Sequence, residues 1–169
     1  MFMIVHMRYL FTFVAFISIS SVFGQPNWGW DIAASASYSK NLDAIGPQLR
    51  AYILVDEALC YGLEYSRFNF SHEDHKGTFD ELNFNGHYVF HIGHKYGVYP
   101  LGGINWSSEM IDSHRVNAWG FNAGGGAHVF LGKWVPYLEY LYTSGDLSDQ
   151  KFILGTYFII RDLPSKRKH

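Results

Sequence analysis

A single cysteine, Cys60, is all the thiol this chain has, which excludes an intrachain disulfide and leaves stability to sheet closure and burial. Charge is scarce too. Asp, Glu, Lys and Arg make up 17% of the residues and balance to a net −2, so there is no basic footprint for a nucleic acid. Past Gly24 no apolar run reaches the roughly 20 residues of a spanning helix, and no stretch repeats with the 3.6-residue period of an amphipathic helix. These absences point to one all-β domain. What remains has near-neutral hydropathy yet is 18% aromatic, and the placing of those rings decides the fold.

The first residues must be set aside before the fold is read. His6 and Arg8 precede an apolar run, residues 9–19, which is interrupted by Thr12 and Ser18 and followed by Ser20, Ser21 and Val22-Phe23-Gly24. This pattern reads as a secretory signal peptide, residues 1–24, cleaved after Gly24. No cysteine stands at the end of the run, where residues 20–25 read Ser-Ser-Val-Phe-Gly-Gln, so a lipid anchor is not supported. The expected organisation is a signal peptide at 1–24, one β-domain at 25–162 and a basic tail at 163–169.

A two-residue alternation from Leu82 to Ile92 is the clearest structural signal. Leu82, Phe84, Tyr88, Phe90 and Ile92 share one face, and Asn83, Asn85, His87, Val89 and His91 share the other. Repeated along a secreted chain, such a pattern describes a sheet closed with its apolar face toward lipid and its polar face inward. Strands are expected at residues 30–39, 47–56, 58–68, 81–92, 97–107, 118–130, 135–143 and 151–161. The even count, with links that alternate between short and long, predicts an eight-stranded antiparallel up-and-down transmembrane β-barrel. Its long links, 39–46, 69–80, 108–117 and 144–150, would lie outside. Trp28, Trp30 and Trp134 at one end and Trp106 and Trp119 at the other would form two aromatic girdles at headgroup level.

Eight strands enclose a lumen only wide enough to be filled by side chains. The inward list holds Asp31, Arg50, Glu64, Glu139 and Arg161, together with Asn83, Asn85, Asn105, Asn122, His87, His91 and His128. Charges in so narrow a space must be paired, which predicts Arg50 against Glu64 or Glu139 as a structural plug.

At this point a family likeness enters. The stretches Gly97-Val98-Tyr99-Pro100-Leu101-Gly102-Gly103-Ile104-Asn105-Trp106, Asn122-Ala123-Gly124-Gly125-Gly126-Ala127-His128-Val129-Phe130 and Tyr137-Leu138-Glu139-Tyr140-Leu141-Tyr142 resemble the second half of the outer-membrane β-barrel domain family, the small OmpA/OmpX-like "porin family" proteins of Gram-negative bacteria. The resemblance implies location in the cell outer membrane. It implies as partners outer-membrane lipid, lipopolysaccharide and the barrel-assembly machinery, with the chain a monomer. Such barrels often end on Phe, whereas here Phe158 and Ile160 are followed by residues 161–169.

Three local readings bear on function. His72, Asp74 and His75, with Glu73 between, could ligate zinc or copper with help from Asp112 or His114; a solvated loop is the expected state, and no metal or other cofactor is assigned. A lipid A-modifying enzyme would need a nucleophile beside a base. The chain has no His-x-Ser, and His128 and Glu139 have no serine placed beside them. A soluble lipocalin-like carrier would turn its apolar face inward, against the glycines and charges that share one face here. The expectation is a non-enzymatic barrel with a structural or surface-interaction role through loops 69–80 and 108–117.

Overall fold

The computed structural model describes residues 29–72, 75–112 and 114–161. The signal peptide, Trp28, Asp74 and the basic tail lie outside the described residues, as do the side chains of His72, His75 and Arg161. Nine antiparallel segments follow in chain order: β1 (Gly29–Ser39), β2 (Ala44–Leu54), β3 (Leu59–His72), β4 (His75–Tyr88), β5 (Phe90–Ile92), β6 (Tyr96–Ile111), β7 (His114–Val129), β8 (Trp134–Thr143) and β9 (Asp149–Arg161). Segments β4 and β5 are one stave broken at Val89, whose N–H turns to the Ala58 carbonyl at 2.7 Å. Both pair with β6.

Each stave pairs with its sequence neighbours, and β1 returns to pair with β9, so the sheet closes as an eight-stranded up-and-down barrel. Closure removes the free edges that an open sheet would expose. The alternation sets the register. Leu49, Leu63, Phe84, Ile104, Leu138 and Leu154 point outward, while Arg50, Glu64, Asn83, Asn105, Glu139 and Ile153 point into the lumen. The contrast is large: Leu154 is 65% exposed and Ile153 not at all.

The turns beside the chain ends are tight. In the β2–β3 turn the Asp56 carboxylate accepts the N–H groups of Ala58 and Leu59, both at 2.7 Å. Those two donors favour the charged form and hold the carboxyl below its ordinary value. At the opposite, far end the structure corrects the expected loops. Residues 69–80 and 108–117 are mainly strand: Asn69 pairs with Thr78, Ser71 with Lys76, Ser108 with Asn117, and Ile111 with His114. The expected alternation of short and long links is therefore absent, since no more than five residues separate consecutive segments at either end. Ser, Asn, Asp and His mimic a loop there because the outer face of a strand standing clear of lipid meets water and no longer needs an apolar side.

Candidate functional site

From the far end inward, the lumen is filled in layers. Phe68 and Phe79, ring centroids 6.2 Å apart, close it with Ala44, Leu42, Phe70 and Leu147. Beneath them Lys151 donates to Glu81, and both side chains are fully buried. Glu81 also accepts from Ser66 Oγ at 3.0 Å and Asn105 Nδ2 at 3.3 Å. An amide ladder continues downward: Asn105 donates to Asn83 at 2.7 Å, and Asn122 to Asn83 at 2.9 Å and Asn85 at 2.8 Å.

The next layer centres on Arg50. Its guanidinium forks onto Glu139 through Nη1–Oε2 at 2.9 Å and Nη2–Oε1 at 2.6 Å, and it stands 3.6 Å from Glu64. The Tyr157 hydroxyl accepts from Nη1 at 3.0 Å, and Gln48 Oε1 accepts from Nε at 3.2 Å. Tyr52 donates to Glu64, as does Gln48 Nε2 at 3.1 Å, and Tyr99 donates to Glu139 at 3.0 Å. A fork on a carboxylate fixes both partners in a plane, so one cation holds β2 and β8 together across the lumen. Aliphatic side chains share this layer: Leu101, Leu141, Ile153 and Ile159 are buried with the tyrosines. These inward apolar residues are why both faces of the sixth and ninth segments look apolar in the sequence.

Glu139 is committed to Arg50 and Tyr99, and its register partner is Gly126 rather than His128. Glycines make room for the large inward rings. A Cβ at Gly126 would come within 2.6 Å of the Tyr99 ring, and one at Gly97 would strike the His128 ring.

At the terminal end the filling stops, leaving a cavity of about 470 Å³. Its wall includes Tyr52, Tyr99, Tyr157, Phe130, Val135 and Ile159. His87 and His128 line it; His91, expected in the interior network, is exposed at the rim, where its ring stacks on Phe130 and its Nε2 lies 2.7 Å from the Glu57 carbonyl. Asp31 is half-buried beside them. Strand alternation continues inward past His87, but the break at Val89 ends the buried register, so His91 emerges at the mouth. Among the described residues no three His, Cys, Asp or Glu side chains converge as a metal site.

Buried charges not expected from the sequence are Asp149, placed there in a link, and the ion pair of Glu81 with Lys151. Glu81 and Lys151 fall at the first positions of the strands expected there and read as strand ends. The signal was present, since Glu81 shares the parity of Asn83 and Asn85, and Lys151 that of Ile153.

No family model and no curated protein sequence matches the chain. Solved structures do. The N-terminal β-barrel domain of Pseudomonas aeruginosa OprF superposes with a TM-score of 0.62 at 17% identity, covering 78% of this chain and 96% of that one. Yersinia pestis Ail, the attachment invasion locus protein, gives 0.56 at 16%, covering 78% and 97%. Neisserial surface protein A gives 0.58 at 11%, covering 80% and 96%. This is the fold of the small outer-membrane β-barrels.

In a transmembrane barrel the tryptophans mark the lipid boundary. Trp30 and Trp134 face outward at the terminal end, Trp134 against Phe158 at 5.0 Å between ring centroids. Trp119 faces outward and is cross-strand partner to the half-buried Trp106. These last two do not end their strands, as the sequence suggested. From Tyr96 to Trp106 is about eleven residues, the length a tilted strand needs to cross, and β6 continues beyond Trp106 to Ile111. The barrel staves β3, β4, β6 and β7 thus carry a four-stranded sheet past the girdle by about five residues, or about 16 Å at the rise of a strand. The β7–β8 ladder stops at Asn122 and Thr143, so the start of β7 forms an edge of that sheet with no ladder on its β8 side.

Proposed function

We propose that this chain is a non-enzymatic protein of the Gram-negative outer membrane, delivered by its signal peptide, whose sealed barrel anchors a projecting sheet that contacts partners at the cell surface. The observation that carries this reading is the projecting sheet itself, with β7 from His114 to Gly120 left without a ladder on its β8 side. An unpaired edge offers backbone donors and acceptors to an incoming strand. Val116 stands exposed on it, an apolar side chain beyond the lipid girdle. The lumen supports the anchoring role. The buried charges Arg50, Glu64, Glu139, Glu81 and Lys151 are spent on one another, and eight staves leave no aqueous channel. Catalysis is disfavoured by the engagement of Glu139 with Arg50 and Tyr99 rather than with a histidine and nucleophile. Ail carries attachment in its name, and surface attachment by the present chain agrees with the sheet described above.

The test displays two forms on bacteria devoid of other adhesins: the full chain, and a variant with residues 109–116 replaced by an Asn-Gly turn. Attachment to immobilised extracellular-matrix proteins is measured at matched surface levels. The full chain attaches and the shortened one falls to background. Equal attachment by both, or none by the full chain, contradicts the reading.

A further inference from the structure

The cavity at the terminal end of the lumen has a composition that a mere packing gap does not require. His87 is 5% exposed, and neither of its ring nitrogens has a hydrogen-bond partner. Its ring is held between Tyr52 and Tyr99, with centroid separations of 4.3 and 4.9 Å. On the other side of Tyr99 stands His128, 5.4 Å away between centroids, with Nε2 likewise without a partner. A buried polar atom left unpaired is costly; in the filled layers above, Asn83 and Asn85 each leave an amide nitrogen unpartnered but still accept through Oδ1, whereas His87 has no hydrogen bond at either ring nitrogen. Two imidazoles boxed in aromatic rings and bordering the same cavity are therefore placed to meet something that enters it.

The mouth narrows the chemistry. Asp31, Asp56 and Glu57 line it, and the Asp56 carboxyl is held in its charged form by the two backbone N–H groups of its turn. Lys95 and Lys133 belong to neighbouring turns but do not line the cavity. Deeper in, a single guanidinium faces two glutamates, so the lumen adds no excess of positive charge there. Aromatic walls favour a flat ring, and their electron-rich faces also favour a cation. A neutral imidazole can accept one N–H. A metal ion is not favoured, since among the described residues no third ligand converges. The volume, about 470 Å³, lies within the range of small-molecule sites.

We infer that this cavity binds an arylalkylamine from the periplasmic side: a flat aromatic ring bearing an N–H donor, inserted among Tyr52, Tyr99 and Tyr157 toward His87 and His128, with its ammonium arm at the carboxylates of the mouth. Tryptamine is the probe, because it carries both groups. Indole-3-propionate is its counterpart, with the same ring and the opposite charge.

The protein is placed in nanodiscs of zwitterionic lipid with ¹⁵N-labelled histidine, and each compound is titrated while the imidazole resonances are followed. Tryptamine shifts His87 and His128 saturably, and indole-3-propionate binds at least about tenfold more weakly. His87→Phe keeps a ring between Tyr52 and Tyr99 but removes the acceptor, and weakens tryptamine by about tenfold, one hydrogen bond's worth. Ile159→Trp fills the cavity and abolishes the His128 response. A heat-dependent shift in gel mobility verifies that each variant is folded. No saturable shift at either imidazole, unchanged shifts in Ile159→Trp, or equal binding of the anion overturns the inference.

Discussion

Arg50 decides how the interior holds. It is 3% exposed, forks onto Glu139 and faces Glu64. Taking one partner from a buried ion pair leaves an uncompensated charge, at a cost of about 3–5 kcal/mol. Arg50→Leu is therefore expected to lower the unfolding free energy by that amount, measured by urea titration of the barrel in detergent. The double variant Arg50→Leu with Glu139→Leu recovers part of the loss, because the second change removes the stranded carboxylate. Strict additivity of the two changes would contradict the pairing. The residues of this layer were legible in the sequence because Arg50, Glu64 and Glu139 all sit at inward parity. Which glutamate takes the fork was not legible, since strand order fixes neighbours in the sheet but not the reach of a long side chain across the lumen. Lys151 and Glu81 were harder to see, as each opens an expected strand and a charge at a strand end ordinarily faces water.

At the level of single strands, β6 and β7 serve two environments in one continuous run. Between Trp106 and Tyr96 their outward residues meet lipid; beyond Trp106 the outward residues, Val116 among them, meet water, while Ser107, Ser108 and Ala118 stay buried on the inner face. An arginine tests the boundary. Leu138, mid-strand and 59% exposed on the outer face, lies at bilayer depth, so Leu138→Arg is expected to cost about 2–4 kcal/mol. Val116 is 51% exposed but projects past the girdle, so Val116→Arg changes stability by less than about 0.5 kcal/mol. Unfolding titrations in lipid vesicles compare the two, and equal penalties would erase the boundary. Period-2 alternation made the membrane-crossing part of each strand readable, because lipid on one side and a packed lumen on the other impose opposite demands on adjacent residues. Outside the membrane that contrast vanishes. Residues 69–80 and 108–117 consequently read as loops, although backbone pairing continues through 69–72, 75–80, 108–111 and 114–117.

The whole molecule is an anchored object with two unlike ends: a projecting sheet at one and a cavity lined by rings and histidines at the other, separated by a filled lumen. The barrel and its polarity were legible in the alternation and the tryptophans, while neither end was. The sheet depends on where the lipid stops, and the cavity depends on which inward side chains fail to reach each other. The most direct measurement is amide NMR of the protein in nanodiscs, with one relaxation agent attached to lipid tails and another dissolved in water. Residues 96–106 and 119–129 should be quenched from the lipid side. Residues 107–118 should be quenched from water while keeping cross-strand contacts between Ser108 and Asn117. Lipid quenching at Val116, or the loss of those cross-strand contacts, would contradict a barrel that carries its sheet beyond the membrane.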